Sequence, residues 1–182
     1  PRLLQSLAAS TNPDEAFVRF DRFLSGLPAG VQLFSLFQAY PPLLDLVAEI
    51  MGDAPKLADW LARKPILLDA VLSEDFYDPC DHRDQMSQSL KEAMAQARDY
   101  QDVLDIARRW CNDLKFKTGV QLLRGAANGN AIGPALSDMA EAAIGGLLPA
   151  LLEEFEQAHG HTTGLGLAVV AFGKLGGREL LP

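Results

Sequence analysis

Leu165-Gly166-Leu167-Ala168-Val169-Val170-Ala171-Phe172-Gly173-Lys174-Leu175-Gly176-Gly177-Arg178-Glu179-Leu180 is where the helical rhythm of this chain stops. From Leu165 to Phe172 the residues form a continuous apolar run, whose length and valine content suit a buried strand better than another helix. The run leads into a glycine turn, Gly173-Lys174-Leu175-Gly176-Gly177, and then into Arg178, Glu179 and Leu180. A strand, a glycine turn and a helix start together let backbone N–H groups come close to phosphate oxygens. The Gly-x-x-Gly-Gly spacing is neither the Walker pattern nor the dinucleotide fingerprint. Taken alone it fits equally well a tight bend with no ligand, in which Lys174 and Arg178 face solvent.

Everything upstream reads as helix. Asn12-Pro13 has the form of an N-cap followed by proline at the first helical position, and Phe17, Phe20, Phe23, Leu24 and Leu27 follow at helical spacing. Gly26, Pro28 and Gly30 break the chain before a second helix carrying Leu33, Leu36 and Phe37, which ends near Tyr40. Proline then opens one helix after another: Pro42 before Leu43 to Met51, Pro55 before Leu57 to Leu61, Pro65 before Ile66 to Leu72. Proline suits that position because its φ is pre-set and it has no donor to leave unsatisfied. The echo of Pro42-Leu43-Leu44-Asp45 in Pro65-Ile66-Leu67-Leu68-Asp69 occurs once and is shorter than a typical helical-repeat period. Residues 73–82 form a polar connection. Longer helices are predicted from about Arg83 to Ala97, from about Asp102 to Arg124, and from Gly133-Pro134 through Phe155, the last kinked at Pro149. The prediction is a mainly α fold, a multi-helix bundle of about eight helices, followed by one strand and the glycine turn.

Composition narrows the function classes. The chain has 182 residues, 48% of them apolar, and a formal charge of -8, which argues against a surface built to wrap nucleic acid while leaving nucleotide binding open. The sequence shows no unbroken apolar run of the roughly 18–20 residues a membrane helix needs and no signal-peptide profile, so the expected location is cytoplasmic with no membrane partner. Cys80 and Cys111 lack metal-ligand spacing and a recognisable partner base, and read as ordinary reduced cysteines. His159 and His161 flank a glycine in a loop, and His82 lies beside Asp81 and Asp84; neither set supplies enough ligands for a metal. Trp60 and Trp110 fall on apolar helix faces and are expected in the core. Asp99, Asp102 and Asp105, like Glu153, Glu154 and Glu156, read as exposed helix faces. Lys115, Lys117 and Arg124 read as a solvated helix face, with triphosphate contact as the functional alternative.

The words of the C-terminal stretch carry a resemblance. Val169 to Leu180 is similar to the entry of the nucleotidyltransferase domain in glutamine synthetase adenylyltransferases. There an apolar strand leads to Gly-Lys-Leu-Gly-Gly, a short helix and a Ser-Asp-x-Asp metal site. Upstream, Phe20-Asp21-Arg22-Phe23-Leu24, Leu27-Pro28-Ala29-Gly30-Val31, Leu61-Ala62-Arg63-Lys64-Pro65 and Leu67-Leu68-Asp69 resemble that family's helical lead-in. Phe116-Lys117 and Leu122-Leu123-Arg124 resemble the helix before its strand.

The resemblance implies an α+β nucleotidyltransferase domain beginning here, with residues 1–98 as helical lead-in and 99–182 as the last helices and first strand of that incomplete domain. It implies transfer of AMP from ATP to a tyrosine hydroxyl of glutamine synthetase, with Mg2+ and ATP as cofactors of the full-length enzyme. Gly173, Lys174, Gly176, Gly177 and Arg178 would be nucleotide-binding. A β-branched side chain at Gly177 would stand where phosphate oxygens approach, and would be strained if that residue needs a positive φ. Of the family's two related halves, one removing AMP and one adding it, the lead-in reads more like the adding half. The other half, or a purely helical interaction module, is the alternative. The partners implied are glutamine synthetase and, through the full-length enzyme, the PII signal protein. The sequence ends at Leu180-Leu181-Pro182, before the family's Ser-Asp-x-Asp, so no catalytic or metal carboxylate is assigned, and this segment alone is expected to be inactive and to bind no Mg2+.

Overall fold

The computed structural model describes residues 2–27, 30–161 and 166–182, without the side chains of 30–32. Pro28, Ala29 and Leu165, which enter the sequence reading, lie outside the described residues. Among the described residues ten helices are assigned: α1 (Arg2–Ala8), α2 (Pro13–Ser25), α3 (Gly30–Ala39), α4 (Pro41–Asp53), α5 (Pro55–Arg63), α6 (Leu67–Val71), α7 (Arg83–Met94), α8 (Tyr100–Leu123), α9 (Gly129–His159) and α10 (Gly173–Gly176), with a short 3-10 turn at Glu74–Tyr77. No strand is assigned among the described residues. The chain divides into two compact units, Pro1–Phe76 and Tyr77–Pro182. Helix α7, placed by the sequence with the lead-in, packs against α8 and α9 in the second unit.

Helix α4 is the centre of the first unit and touches α1, α2, α3 and α5. It is apolar on most of its circumference, and Leu43, Leu44, Leu46, Val47, Ala48, Ile50 and Met51 are all buried. A helix that is hydrophobic nearly all round belongs inside. Its C-terminal end meets the α1–α2 connection so closely that a Cβ at Gly52 would lie 2.2 Å from the Cβ of Ser10. Arg19 Nη1 donates to the Met51 carbonyl at 2.8 Å, satisfying one of the acceptors that a helix end leaves open.

The proline starts appear as predicted at Pro13 and Pro55, α4 begins at Pro41, one residue before the predicted Pro42, and α6 begins at Leu67, two residues past Pro65. Asn12 is the N-cap of α2 by position, but its side chain makes no capping hydrogen bond, so proline and the acidic first turn of Asp14 and Glu15 mark that start. On α2 the aromatic face is split. Phe20 and Phe23 are buried, while Phe17 is 53% exposed. Trp60 and Trp110, expected in the core, are half-buried, and the Trp110 indole donates to Ser89 Oγ at 3.3 Å.

The second unit is built on three helices. Asp99 caps α8 by accepting from Asp102 N–H at 2.8 Å, and Asn128 caps α9 by accepting from Ala131 N–H at 3.1 Å. Met86 of α7 meets Ile132, Leu136, Met139 and Ala142 of α9 in a core joined by Trp110, Cys111 and Leu114 of α8. Helix α9 starts four residues before the predicted Gly133-Pro134 and stays one helix through both Pro134 and Pro149. By length and composition it meets the requirement for a membrane-crossing helix, contrary to the reading from apolar runs, a property it shares with core helices of soluble proteins. Its N-terminal half is the core face just described. Its C-terminal half leaves Leu151 and Phe155 about half exposed.

The expected buried strand after α9, whose first residue Leu165 lies outside the described residues, does not appear among the described ones. Residues 166–172 have neither helix nor strand, and Leu167, Val169, Val170 and Phe172 are between 57% and 81% exposed. A strand requires a neighbouring backbone to complete its ladder, and an apolar strand requires a covering layer. Neither is offered among the described residues.

Candidate functional site: a glycine turn fastened to helix α9

Phe172 leaves the irregular segment in an extended conformation, φ -125°, and the chain reverses at Gly173, φ 59°. A non-glycine residue would sit in the disfavoured left-handed region there, which explains glycine at that position. The short helix α10 follows. The N–H groups of Gly176, Gly177, Arg178 and Glu179 donate to the carbonyls of Phe172, Gly173, Leu175 and Lys174, at 3.3, 2.8, 3.1 and 2.7 Å. The N–H groups of Gly173, Lys174 and Leu175 precede those bonds and, as first-turn donors, have no helical acceptor. Gly173 and Lys174 are exposed and Leu175 is half-buried.

The geometry corrects the reading of Gly177. Its φ is -80°, an ordinary right-handed value, so a side chain there meets no backbone strain. The left-handed positions are Gly173 and Arg178, φ 58°, because the chain turns left once into α10 and once out of it. The tight glycine is Gly176, where a Cβ would lie 2.6 Å from the Ala171 carbonyl oxygen. At Gly177 the nearest atom, the Gly173 carbonyl oxygen, would be 3.3 Å away.

After the turn, the chain lies directly on α9. A Cβ at Gly133 would be 2.6 Å from the Arg178 carbonyl oxygen and 3.3 Å from the Glu179 Cα, so only glycine admits this approach. Arg178 Nη2 donates to Asp138 Oδ1 at 2.7 Å and to the Pro134 carbonyl at 3.2 Å, while Nη1 donates to Glu141 Oε1 at 3.2 Å. The hydrogen bond to Asp138, with the negative charges of Asp138 and Glu141, holds the guanidinium pKa above its ordinary value. Leu180 then packs against the core formed by Met86 of α7 and the buried face of α9. Lys174, by contrast, has no ion pair among the described residues. Asp138 and Glu141 are not singled out by the sequence, and Gly133 and Leu180 enter it only as a helix start and as the end of the motif. Their partners lie about 40 positions away, and an acidic pair three residues apart on a helix gives no hint of a distant arginine.

The remaining candidates take local roles. Asp102 accepts from Arg98 Nε at 2.9 Å, which is the main cause of its lowered pKa, and Asp105 pairs with Arg108 at 2.9 Å. His161 Nδ1 lies 2.9 Å from Glu156, and the His159 ring lies against Phe155. His82 starts α7, its N–H donating to Gln85 Oε1 at 3.3 Å. Lys115 and Lys117 of α8 are half-buried and Arg124 is exposed. Cys80 and Cys111 are half-buried, and burial raises both thiol pKa values, against the opposing pull of Lys117 on Cys80 and of Lys115 on Cys111. Cys80 lines a cleft of about 370 Å³ with Tyr77, Gln121, Asn128 and Ile132. No cluster of three or more His, Cys, Asp or Glu side chains among the described residues is arranged to hold a metal ion.

Comparison with known proteins places this arrangement. Residues 44–181 match the family model described as glutamate-ammonia ligase adenylyltransferase. The chain is 42% identical over 180 residues to the bifunctional glutamine synthetase adenylyltransferase/adenylyl-removing enzyme of Brucella melitensis, covering 99% of this chain and 18% of that protein. It is 43% identical to the enzyme of the same description from Rhizobium meliloti, with the same coverage, and 41% identical to that of Caulobacter vibrioides, with 17% of that protein covered. The chain therefore spans less than a fifth of the length of these relatives. No solved structure matches it. The match takes in α4 to α10 and the glycine turn together, and on that ground the chain belongs to the glutamate-ammonia ligase adenylyltransferase family.

Proposed function

We propose that this chain is the helical lead-in and phosphate-holding turn of the adenylylating half of an enzyme that transfers AMP from ATP to a tyrosine hydroxyl of glutamine synthetase. The observation that carries this reading is the Gly173–Gly177 turn, left-handed at Gly173 and closed against Ala171 at Gly176, within a chain matched to the family over residues 44–181. The N–H groups of Gly173, Lys174 and Leu175 are the donors offered to the triphosphate, and the Lys174 ammonium adds charge from an exposed position. Gly176 and Gly177 serve by closing the turn. In the reaction the tyrosine hydroxyl attacks the α-phosphorus in line and pyrophosphate leaves, so donors held fixed around the triphosphate stabilise the charge that develops there.

Magnesium is the family's expected cofactor. The carboxylates beside the turn, Asp138 and Glu141, are engaged by Arg178, and Glu141 also by Arg83 at 3.3 Å, so these described residues do not fit a magnesium site and no step is derived through one. Glutamine synthetase is the protein substrate in this reading, and the PII signal protein acts on the full-length enzyme.

The experiment is Gly176→Val in the full-length enzyme, with AMP incorporation into glutamine synthetase and adenylyl removal measured side by side. The reading expects incorporation to fall about a hundredfold or more while removal persists, the scale set by losing preorganised donors. Loss of removal with incorporation intact would move the chain to the other half. Retention of both would make the turn a plain bend.

A further inference from the structure

We propose that Arg178, Asp138 and Gly133 form a clamp that positions the glycine turn, with Arg178 acting through helix α9 and not on the phosphates. The proposal rests on the phosphate reading of the turn and assigns its fastening to residues of the helical unit. Four observations converge. Both terminal nitrogens of Arg178 are engaged, by Asp138, by Glu141 and by the Pro134 carbonyl. Arg178 is the single non-glycine residue with positive φ among the described residues, and such a conformation persists where surrounding contacts over-determine it. Gly133 lets the backbone of residues 178–179 lie against α9 with no space for a Cβ. Leu180 completes the attachment by packing on the core that α9 builds with Met86.

Electrostatics separates the clamp from a direct phosphate contact. The side chain of Asp138 is only 15% exposed, and removing Arg178 to a triphosphate would leave that carboxylate short of a partner. It would also set Asp138, and the half-exposed Glu141 with Arg83 as its remaining partner, beside an anionic ligand. Held where it is, Arg178 neutralises them, and Lys174 remains the cation of the turn available to the ligand. The clamp also explains why a turn with exposed residues on both sides can hold one geometry. The three residues that follow the turn, Arg178 to Leu180, are fixed on a preformed helix, and misplacing a positioning group by about 1 Å can cost about a hundredfold in rate.

The test uses the full-length enzyme with Arg178→Ala, Arg178→Lys, Asp138→Asn, Asp138→Ala and the Arg178→Ala/Asp138→Ala double variant. Both AMP incorporation and adenylyl removal are followed at varied Mg-ATP, with circular dichroism as the folding control. The clamp expects Arg178→Ala and Asp138→Ala each to lower kcat by about ten- to a hundredfold with KM for ATP within about threefold. It expects the double variant to be no worse than either single one, since residues in one network are not additive. Arg178→Lys should recover about a tenth or more of the rate by pairing with Asp138 alone, and Asp138→Asn, which keeps the shape, should fold and still show the loss. The same coupled pattern confined to adenylyl removal would leave the clamp standing and overturn the assignment of the half. A wild-type rate for Asp138→Ala beside a tenfold rise in KM for Arg178→Ala would put Arg178 on the phosphates and overturn the clamp. So would losses that multiply in the double variant, or full activity of every variant.

Discussion

At Gly173 the backbone is left-handed, at Gly176 it is sterically closed, and at Gly177 it is neither. This ranks the three substitutions in the full-length enzyme. Gly176→Ala forces the Ala171 carbonyl or the turn to move, and is expected to lower AMP incorporation most, by about a hundredfold. Gly173→Ala has open space but a left-handed φ costing about 1–2 kcal/mol, so an intermediate loss is expected. Gly177→Ala keeps an ordinary φ and should retain more than about a third of the rate, less than 1 kcal/mol of effect. Finding Gly177→Ala the most damaging of the three would overturn this geometry. The cysteines give a second residue-scale expectation. Burial raises the pKa of Cys80 and Cys111, so less thiolate is present at neutral pH than in an ordinary thiol. Iodoacetamide labelling should therefore be slower in the folded chain than in urea, should speed up as pH rises through and beyond the usual thiol range, and should be faster at Cys80 than at Cys111 because Cys80 lines the cleft. Equal rates folded and unfolded would contradict the burial.

At the scale of the element, the helix starts use two different devices. Helices α2, α4 and α5 begin at proline with no side-chain cap bond, whereas α8 and α9 begin at Asp99 and Asn128 with one. The expectation is that Asp99→Ala destabilises the second unit by about 1 kcal/mol, while Asn12→Ala changes stability by less than about 0.5 kcal/mol. Urea denaturation followed by circular dichroism measures both. A larger loss at Asn12 than at Asp99 would show that the cap bonds are not as described. The clamp belongs to this scale as well, because α9 both fills the core of its unit through Ile132, Leu136 and Met139 and carries the glycine turn on Gly133, Asp138 and Glu141.

At the scale of the whole molecule, each compact unit has its own buried apolar core, one around α4 and one around α9. The chain is therefore expected to fold as a helical protein on its own, with far-ultraviolet circular dichroism dominated by helix. A spectrum dominated by strand or disorder would refute this. No described set of carboxylates and imidazoles holds a metal, so Mg-ATP should raise the melting temperature of this chain no more than ATP alone does. A clear additional rise would reveal a metal site.

The sequence by itself determined the helices and the family. Proline at Pro13, Pro41 and Pro55 and the spacing of apolar residues are local properties, written within a few positions of where they act. The words Gly173-Lys174-Leu175-Gly176-Gly177 carry their resemblance without any folding argument. Which glycine bends, which one is closed, and where Arg178 points were decided by tertiary structure. The partners that settle these are Ala171 across the turn, and Gly133, Asp138 and Glu141 on a helix some 37–45 residues earlier. The 166–172 run shows the same limit from the other side. Its apolar pattern favours a strand, but a strand is made by the backbone next to it, and a one-dimensional pattern does not contain that neighbour.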